Sequence, residues 1–396
     1  MTALEIFAGA GGAALGLHAA GFAHLALVEW DRDACSTLRA AVAAGLLDGE
    51  VLEGDVRAVD WTPYAGRVDL LWASPPCQAW SAAGKRLGAA DERNLWPATL
   101  DVLDAVRPTW ALCENVPGLT THAAAAHEGD PDRRQSNPQA CPGCYWLGVI
   151  LPAFRARFAV VDFRILDAAD YGVPQHRRRV FLVAGPRSIR WPAPTHGDPV
   201  DGPRLFGAPA PWVTIREALG IVVVGAGTNP HGPGRGHERT ARDVSDEPAT
   251  TIPAVNAGNN ELRSPVARTS QSSGRARGRV PVESSIDSSS PSVRAQEGRG
   301  LCILDAPADT IAGGSQASHV NGRSALSASA DRRAKYAEAG LRRLTVLECA
   351  RLQAFPDDWP WQGTLTSRFR CVGNAVPPPL ARLLAEAILA ASPEPP

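Results

Sequence analysis

Near the amino terminus a short apolar run, Leu4-Glu5-Ile6-Phe7, passes directly into Ala8-Gly9-Ala10-Gly11-Gly12 and then into a helix-forming stretch, Ala13 to Ala20. A strand that hands over to a helix through so short a glycine turn commits the chain to an α/β architecture, because the helix then crosses over the sheet to reach the next strand. Glycine supplies the left-handed backbone that the turn needs and lets main chain approach a ligand closely. A second strand, His24 to Val28, ends on Glu29, 20 residues after Gly9, where a carboxylate accepts hydrogen bonds from a ribose diol. Gly9-x-Gly11-x-x-Ala14 with that acid also fits the nicotinamide dinucleotide fingerprint, so the pattern specifies an adenosine-bearing cofactor without naming it.

The following segments repeat the theme of an apolar strand ending on a reactive or polar side chain. After a helix from Asp31 to Ala44, Val51 to Val56 offers a third strand tip carrying Asp55, suited to an adenine amino group. The fourth strand, Val68 to Ala73, runs into Ser74-Pro75-Pro76-Cys77-Gln78. Two prolines fix φ and restrict the residue before them, so Cys77 is expected on a stiff turn at the carboxyl edge of the sheet, the position of a nucleophile. The alternative is a buried, inert cysteine that only packs. Ala79 to Arg93 reads as a loop over that edge and Asn94 to Val106 as a helix. Strand five, Thr109 to Cys113, leads into Glu114-Asn115-Val116-Pro117, so a carboxyl reaches the same edge. It serves as an acid or substrate contact, or else as a helix cap or ion-pair partner.

Charge is uneven along the 396 residues. Arg164 to Arg343 holds 24 of the 40 Lys+Arg but only 17 of the 41 Asp+Glu, although the whole chain sums to a formal -1. A basic stretch of this kind suits a phosphate-bearing partner, and a solvated arginine-rich loop would give the same count. Eight cysteines spread over so long a chain, with no apolar run near twenty residues and no charged-then-apolar leader at Met1, lead to the expectation of a reduced, soluble, cytoplasmic protein.

Taken together the segments resemble the DNA cytosine-5 methyltransferases. Phe7-Ala8-Gly9-Ala10-Gly11-Gly12 resembles that family's cofactor loop, Glu29-Trp30 its ribose contact, Gly54-Asp55-Val56 its adenine contact, Pro75-Pro76-Cys77-Gln78 its nucleophile loop and Glu114-Asn115-Val116 its cytosine-binding acid. Tyr171-Gly172-Val173-Pro174-Gln175-His176-Arg177-Arg178-Arg179 resembles its Gln-x-Arg-x-Arg segment, Arg343-Leu344-Thr345 with Glu348 and Phe355-Pro356 its penultimate motif, and Gly373-Asn374-Ala375-Val376-Pro377-Pro378 its last. Glu5 stands where an aspartate is usual, Val28 where asparagine is frequent, and Ala73-Ser74 where the family has glycines.

The resemblance implies a Rossmann-like doubly wound methyltransferase sheet with an inserted target-recognition domain. Residues 1–189 would form the catalytic and cofactor-binding domain, 190–343 the recognition region with a low-complexity segment at 264–300, and 344–396 a return to the first domain. It implies Cys77, Glu114, Arg177 and Arg179 as catalytic residues, and Pro76, Gln78, Asn115 and Gln175 as substrate-positioning ones. S-adenosylmethionine would be held by Phe7, Gly9, Gly11, Gly12, Glu29, Trp30, Asp55, Val56, Asn374 and Val376. The partner would be double-stranded DNA, bound by a monomer, in a restriction-modification, phage or orphan methylation system. A related enzyme that methylates tRNA shares the machinery, but its Cys-Phe-Thr signature is missing here, and the roughly 150-residue insert argues for DNA. A dehydrogenase or a nucleotide-binding protein on the same glycine loop leaves Pro-Pro-Cys-Gln and Gly-Asn-Ala-Val-Pro-Pro without a purpose.

One stretch falls outside that pattern. A Cys141-Pro142-Gly143-Cys144 hairpin with His122 and His127 has the donor types of a structural zinc site, although the family requires no metal; the alternative is an ordinary turn with reduced thiols.

Overall fold

The computed structural model describes residues 1–76, 91–121, 141–198, 209–220 and 344–392 in full, and backbone strands at 223–226, 241–243, 249–250, 302–304 and 341–343. Cys77, Gln78, His122, His127 and the segment 264–300 lie outside the described residues.

The first compact unit combines Met1–Val222, Val244–Ala257 and Leu344–Pro396. Its centre is a seven-stranded sheet of β1 (Thr2–Ile6), β2 (Ala23–Glu29), β3 (Glu50–Glu53), β4 (Leu70–Ala73), β5 (Trp110–Asn115), β6 (Val160–Asp167) and β8 (Arg178–Gly185), in the order β3-β2-β1-β4-β5-β8-β6. Strands β1 to β5 pair in parallel, and β8 runs antiparallel to both β5 and β6. The strand order reverses between β1 and β4, so a crevice opens at the carboxyl ends of those two strands.

Both faces of the sheet are covered, and the strands are accordingly apolar on both sides. Alternate residues divide between two cores: Leu71, Ala111, Cys113 and Leu182 join one with Trp96 and Phe154, while Trp72, Trp110, Leu112 and Phe181 join the other with Leu17 and Leu384. The first core is closed by α3 (Trp96–Val106) and by a helical run made of α4 (Pro142–Tyr145), a π-helical turn at Trp146–Ile150 and α5 (Leu151–Arg155). Pro152 has no N–H to donate one turn back, and the helix widens just before it. The expected Cys141–Cys144 hairpin is instead a helix start, with Cys141 at the cap position and Pro142 at the first helical residue, where a missing N–H costs nothing. Both cysteines are buried, and neither is in a disulfide.

The second core lies under α1 (Gly12–Ala19) and the last helix, α9 (Pro378–Ala391). Leu380, Leu384 and Ile388 repeat every four residues and are fully buried, each contributing about 1.5–3 kcal/mol of apolar transfer. The two helices meet so closely that a Cβ on Gly16 would stand 2.5 Å from the Pro378 carbonyl oxygen and 2.6 Å from Ala381 Cβ.

The remaining helices are α2 (Arg32–Ala43), α6 (Ile215–Leu219), α7 (Val346–Leu352) and α8 (Leu365–Asn374). Thr214 with Glu217 and Thr345 with Glu348 form reciprocal capping boxes that start α6 and α7. Short pairs complete this unit: β7 (Gln175–His176) with β13 (Ala249–Thr250), and β9 (His196–Gly197) with β10 (Ala210–Pro211). A second unit, Val223–Asp243 with Gly258–Arg343, contains an antiparallel sheet of β11 (Val223–Ala226), β12 (Ala241–Asp243), β14 (Cys302–Leu304) and β15 (Leu341–Arg343). Among the described residues no helix is long and apolar enough to cross a membrane.

Candidate active site

The turn after β1 is built from unusual backbone. Phe7, Gly9 and Gly11 have φ of 58°, 57° and 91°, a left-handed series that coils the chain back before α1 begins. Glu29, at the end of the neighbouring β2, holds that coil: its Oε2 accepts from the Gly9 N–H at 2.8 Å, and its Oε1 accepts from Trp30 and Asp31 N–H at 2.9 and 2.8 Å. Burial raises the Glu29 pKa, and the three N–H donors pull it part of the way back. A Cβ built on Gly9 would meet nothing within 4 Å among the described residues, so the loop faces open space.

Gly11 and Gly12 face inward. A Cβ on Gly11 would lie 2.9 Å from Trp359, and one on Gly12 would collide with the Val376 carbonyl oxygen. The buried Val376 thus backs the loop rather than facing its open side. Behind the loop Phe355, Trp359 and Trp361 pack ring against ring, with centroids 5.0 to 6.5 Å apart, and Trp361 touches the Ala10, Ala34 and Cys371 cluster. Sequence reading passed over these two tryptophans, and the Trp359-Pro360-Trp361 run was the available signal.

Trp30 is 77% exposed beside Glu29. Asp55 caps a short turn and pairs with Arg57 at 2.5 Å, whose hydrogen bonds lower its pKa, while Val56 is buried in the first core. The open edge along β1, β2 and β3 therefore presents Gly9, Glu29, Trp30 and Asp55 in sequence.

On the other side of the crevice, Glu114 sits near the end of β5 and Arg179 near the start of the antiparallel β8. Opposite directions bring a strand end and a strand start to one edge: Arg179 Nε lies 2.9 Å from Glu114 Oε1, both side chains nearly buried. Asn115 turns the other way. Its Nδ2 donates to the Pro75 carbonyl at 2.9 Å and its Oδ1 accepts from Val116 N–H, so the turn leaving β4 through the half-buried Pro76 is tied to the tip of β5.

Arg177 does not join Glu114. Fully buried, it donates to the Gly373 and Asn374 carbonyls at 3.0 and 3.1 Å, fastening the end of α8, while the Asn374 side chain is exposed. The same segment contains Gln175, completely buried with neither amide atom hydrogen-bonded among the described residues. His176 stacks edge-on against Trp212 at 4.5 Å and bonds to Asp167 at 3.1 Å.

Residues 1–390 match the C-5 cytosine-specific DNA methylase family. The chain belongs to that family. Among its relatives, the type II methyltransferase M.NgoMIV of Neisseria gonorrhoeae is 30% identical over 394 residues, covering 98% of this chain and 97% of that one. M.NaeI of Lentzea aerocolonigenes, also named a type II methyltransferase, is 29% identical over 98% of this chain and 74% of its own length. The solved Entamoeba histolytica methyltransferase EhMeth superimposes with a TM-score of 0.57 at 11% identity, over 99% of each chain. Spodoptera frugiperda DNMT2 does so with a TM-score of 0.54 at 15% identity, over 98% of this chain and 99% of that one. These two likenesses concern the Rossmann-like fold. The family membership makes the chain a DNA (cytosine-5-)-methyltransferase, and the dehydrogenase reading falls away.

Proposed function

We propose that the protein transfers a methyl group from S-adenosylmethionine to carbon 5 of a cytosine extruded from a specific duplex sequence, through a covalent Cys77 adduct at carbon 6. The observation that carries this reading is the carboxyl edge of β4 and β5: Glu114 is oriented by Arg179, and Asn115 fixes the Pro75 turn that leads to Cys77. A thiol with pKa about 8.5 needs a site that favours its thiolate. Once formed, the Cys77 thiolate adds its electron pair to carbon 6, and the ring electrons shift toward N3. Glu114 accepts from the exocyclic amine and gives a proton to N3, which neutralises that developing charge, and Arg179 holds its carboxyl group in position. Gly9, Glu29, Trp30 and Asp55 would hold S-adenosylmethionine, which would supply an electrophilic methyl group to carbon 5. The open space before Gly9 and the Glu29 carboxylate beside it suit an adenosine. A base then takes the carbon 5 proton, the Cys77 thiolate leaves with the electron pair of its bond to carbon 6, and N3 returns its proton to Glu114 as the aromatic ring is restored.

A base inside a duplex cannot reach this edge, so it must be flipped at a cost of a few kcal/mol. Gln175 is completely buried with its amide unpartnered among the described residues, so the contact with the flipped nucleotide that the family resemblance implies would require its cover to open. Relatives named as type II methyltransferases along nearly the whole chain support a place in a restriction-modification system. Purified protein with S-adenosylmethionine and plasmid DNA should yield 5-methylcytosine in one short context by bisulfite sequencing, and Cys77→Ser should reduce turnover to background. Methylation that survives this substitution would remove Cys77 as the nucleophile.

A further inference from the structure

Away from the carboxyl edge, titratable side chains converge at the opposite end of the sheet. His18 is in the last turn of α1, His24 lies near the start of β2, and Asp48 stands in the turn before β3. His18 Nδ1 lies 3.2 Å and His24 Nδ1 3.1 Å from the same Asp48 Oδ1, and one donor atom from each residue falls within 4.8 Å of the others. The turn is pressed onto β2 by Gly49, whose φ is +93° and whose added Cβ would stand 2.7 Å from His24 Cβ. A side chain there would push Asp48 away from both rings.

The second ring nitrogen of His24 supplies an independent observation. The His24 side chain is fully buried, and its Nε2 has no hydrogen-bond partner among the described residues. It faces Glu5 Oε2 at 3.8 Å, and that carboxylate oxygen is also buried and unpartnered. A buried ring nitrogen and a buried carboxyl oxygen that face each other without a hydrogen bond are each left unsatisfied, at a cost. A metal-bound histidine commonly donates its remaining N–H to a carboxylate behind it, which would satisfy both. The two spacings to Asp48 agree with this: ligands about 2.0–2.1 Å from a tetrahedral ion lie about 3.3 Å apart.

We propose that His18, His24 and Asp48 bind a first-row divalent transition metal, with zinc the best match to two imidazoles and one carboxylate, and that Glu5 orients His24 from behind. The His18 and Asp48 side chains are 39% and 40% exposed, so an ion can enter and keep water as its fourth ligand. The ion would tie the end of α1 to β2 and to the turn before β3. It takes no part in the methyl transfer, because it lies at the far end of α1 from the glycine turn.

The test uses the untagged full-length protein, stripped with chelator and titrated with Co2+ and with Zn2+. One saturable equivalent is expected, with the visible absorption of four-coordinate cobalt, loss of that band on adding zinc, and a higher Tm. His18→Ala and Asp48→Asn should each abolish the band while circular dichroism stays native. Glu5→Gln should keep the stoichiometry with affinity lowered 10- to 100-fold. Cys141→Ser with Cys144→Ser should leave the band intact, which separates this site from a cysteine one. Failure of the stripped wild-type protein to bind either ion saturably, or binding that persists in both His18→Ala and Asp48→Asn, overturns the proposal.

Discussion

Glu29 shows how one carboxylate organises a loop it does not belong to. Three main-chain N–H groups point at it, one of them from Gly9 in the loop after the neighbouring β1, so removing it leaves donors unsatisfied as well as deleting the proposed ligand contact. Glu29→Ala and Asp55→Ala are each expected to weaken S-adenosylmethionine binding by about 1–3 kcal/mol while DNA affinity hardly moves. Calorimetry that finds cofactor affinity unchanged in both variants would refute those roles. His176 supplies a pH signature. Burial lowers its pKa, but the hydrogen bond that the ring donates to Asp167 and the nearby Asp167, Asp170 and Asp198 charges raise it by more, so the folded ring titrates above its usual 6.5. A raised folded pKa means that the stabilisation is complete below about 6.5 and is lost as pH rises through the folded value. Thermal melts from pH 6 to pH 9 should show this loss in the wild type, and His176→Gln should flatten it.

At the scale of elements, the decisive packing is that of α1 on α9. Gly16 has no room for a methyl group, because the Pro378 carbonyl and Ala381 occupy the space. Gly16→Ala should cost about 1–3 kcal/mol through overpacking and lower the Tm, although alanine is intrinsically the better helix former. A rise in Tm would mean that the helices part more easily than this contact implies. Arg177 acts at the same scale. Its guanidinium fastens the chain just before β8 to the end of α8, so it supports the site without touching Glu114, whereas Arg179, two residues on and inside β8, reaches that carboxylate.

For the whole molecule, the basic stretch from Arg164 to Arg343 and the second compact unit within it suggest a division of labour between chemistry and sequence choice. Exchanging residues 190–343 for the matching region of a relative should change the methylated sequence and leave the chemistry intact, as bisulfite sequencing would report. Deleting 264–300 should keep the fold and at most give a weaker, more salt-sensitive grip on DNA. Loss of cooperative melting in that deletion would show that the segment is structural.

The order of elements was legible in the sequence because each strand of the sheet ends on a turn with its own chemistry. The glycines after β1, Glu29 after β2 and Glu114 at β5 could be read from spacing alone, and the family followed from several such tips in order. Local signals of this kind depend on residues close along the chain, where glycine conformation and strand periodicity act directly. Side-chain direction was not legible. Nothing local says that Arg177 turns to the α8 carbonyls, that Asp55 pairs with Arg57, or that Cys141 begins a helix rather than a hairpin. Arg177 reaches carbonyls 196 residues away, and the meetings of Glu5 with His24 and of His24 with Asp48 join strands and turns 19 and 24 residues apart, so only the closed sheet sets which faces they share.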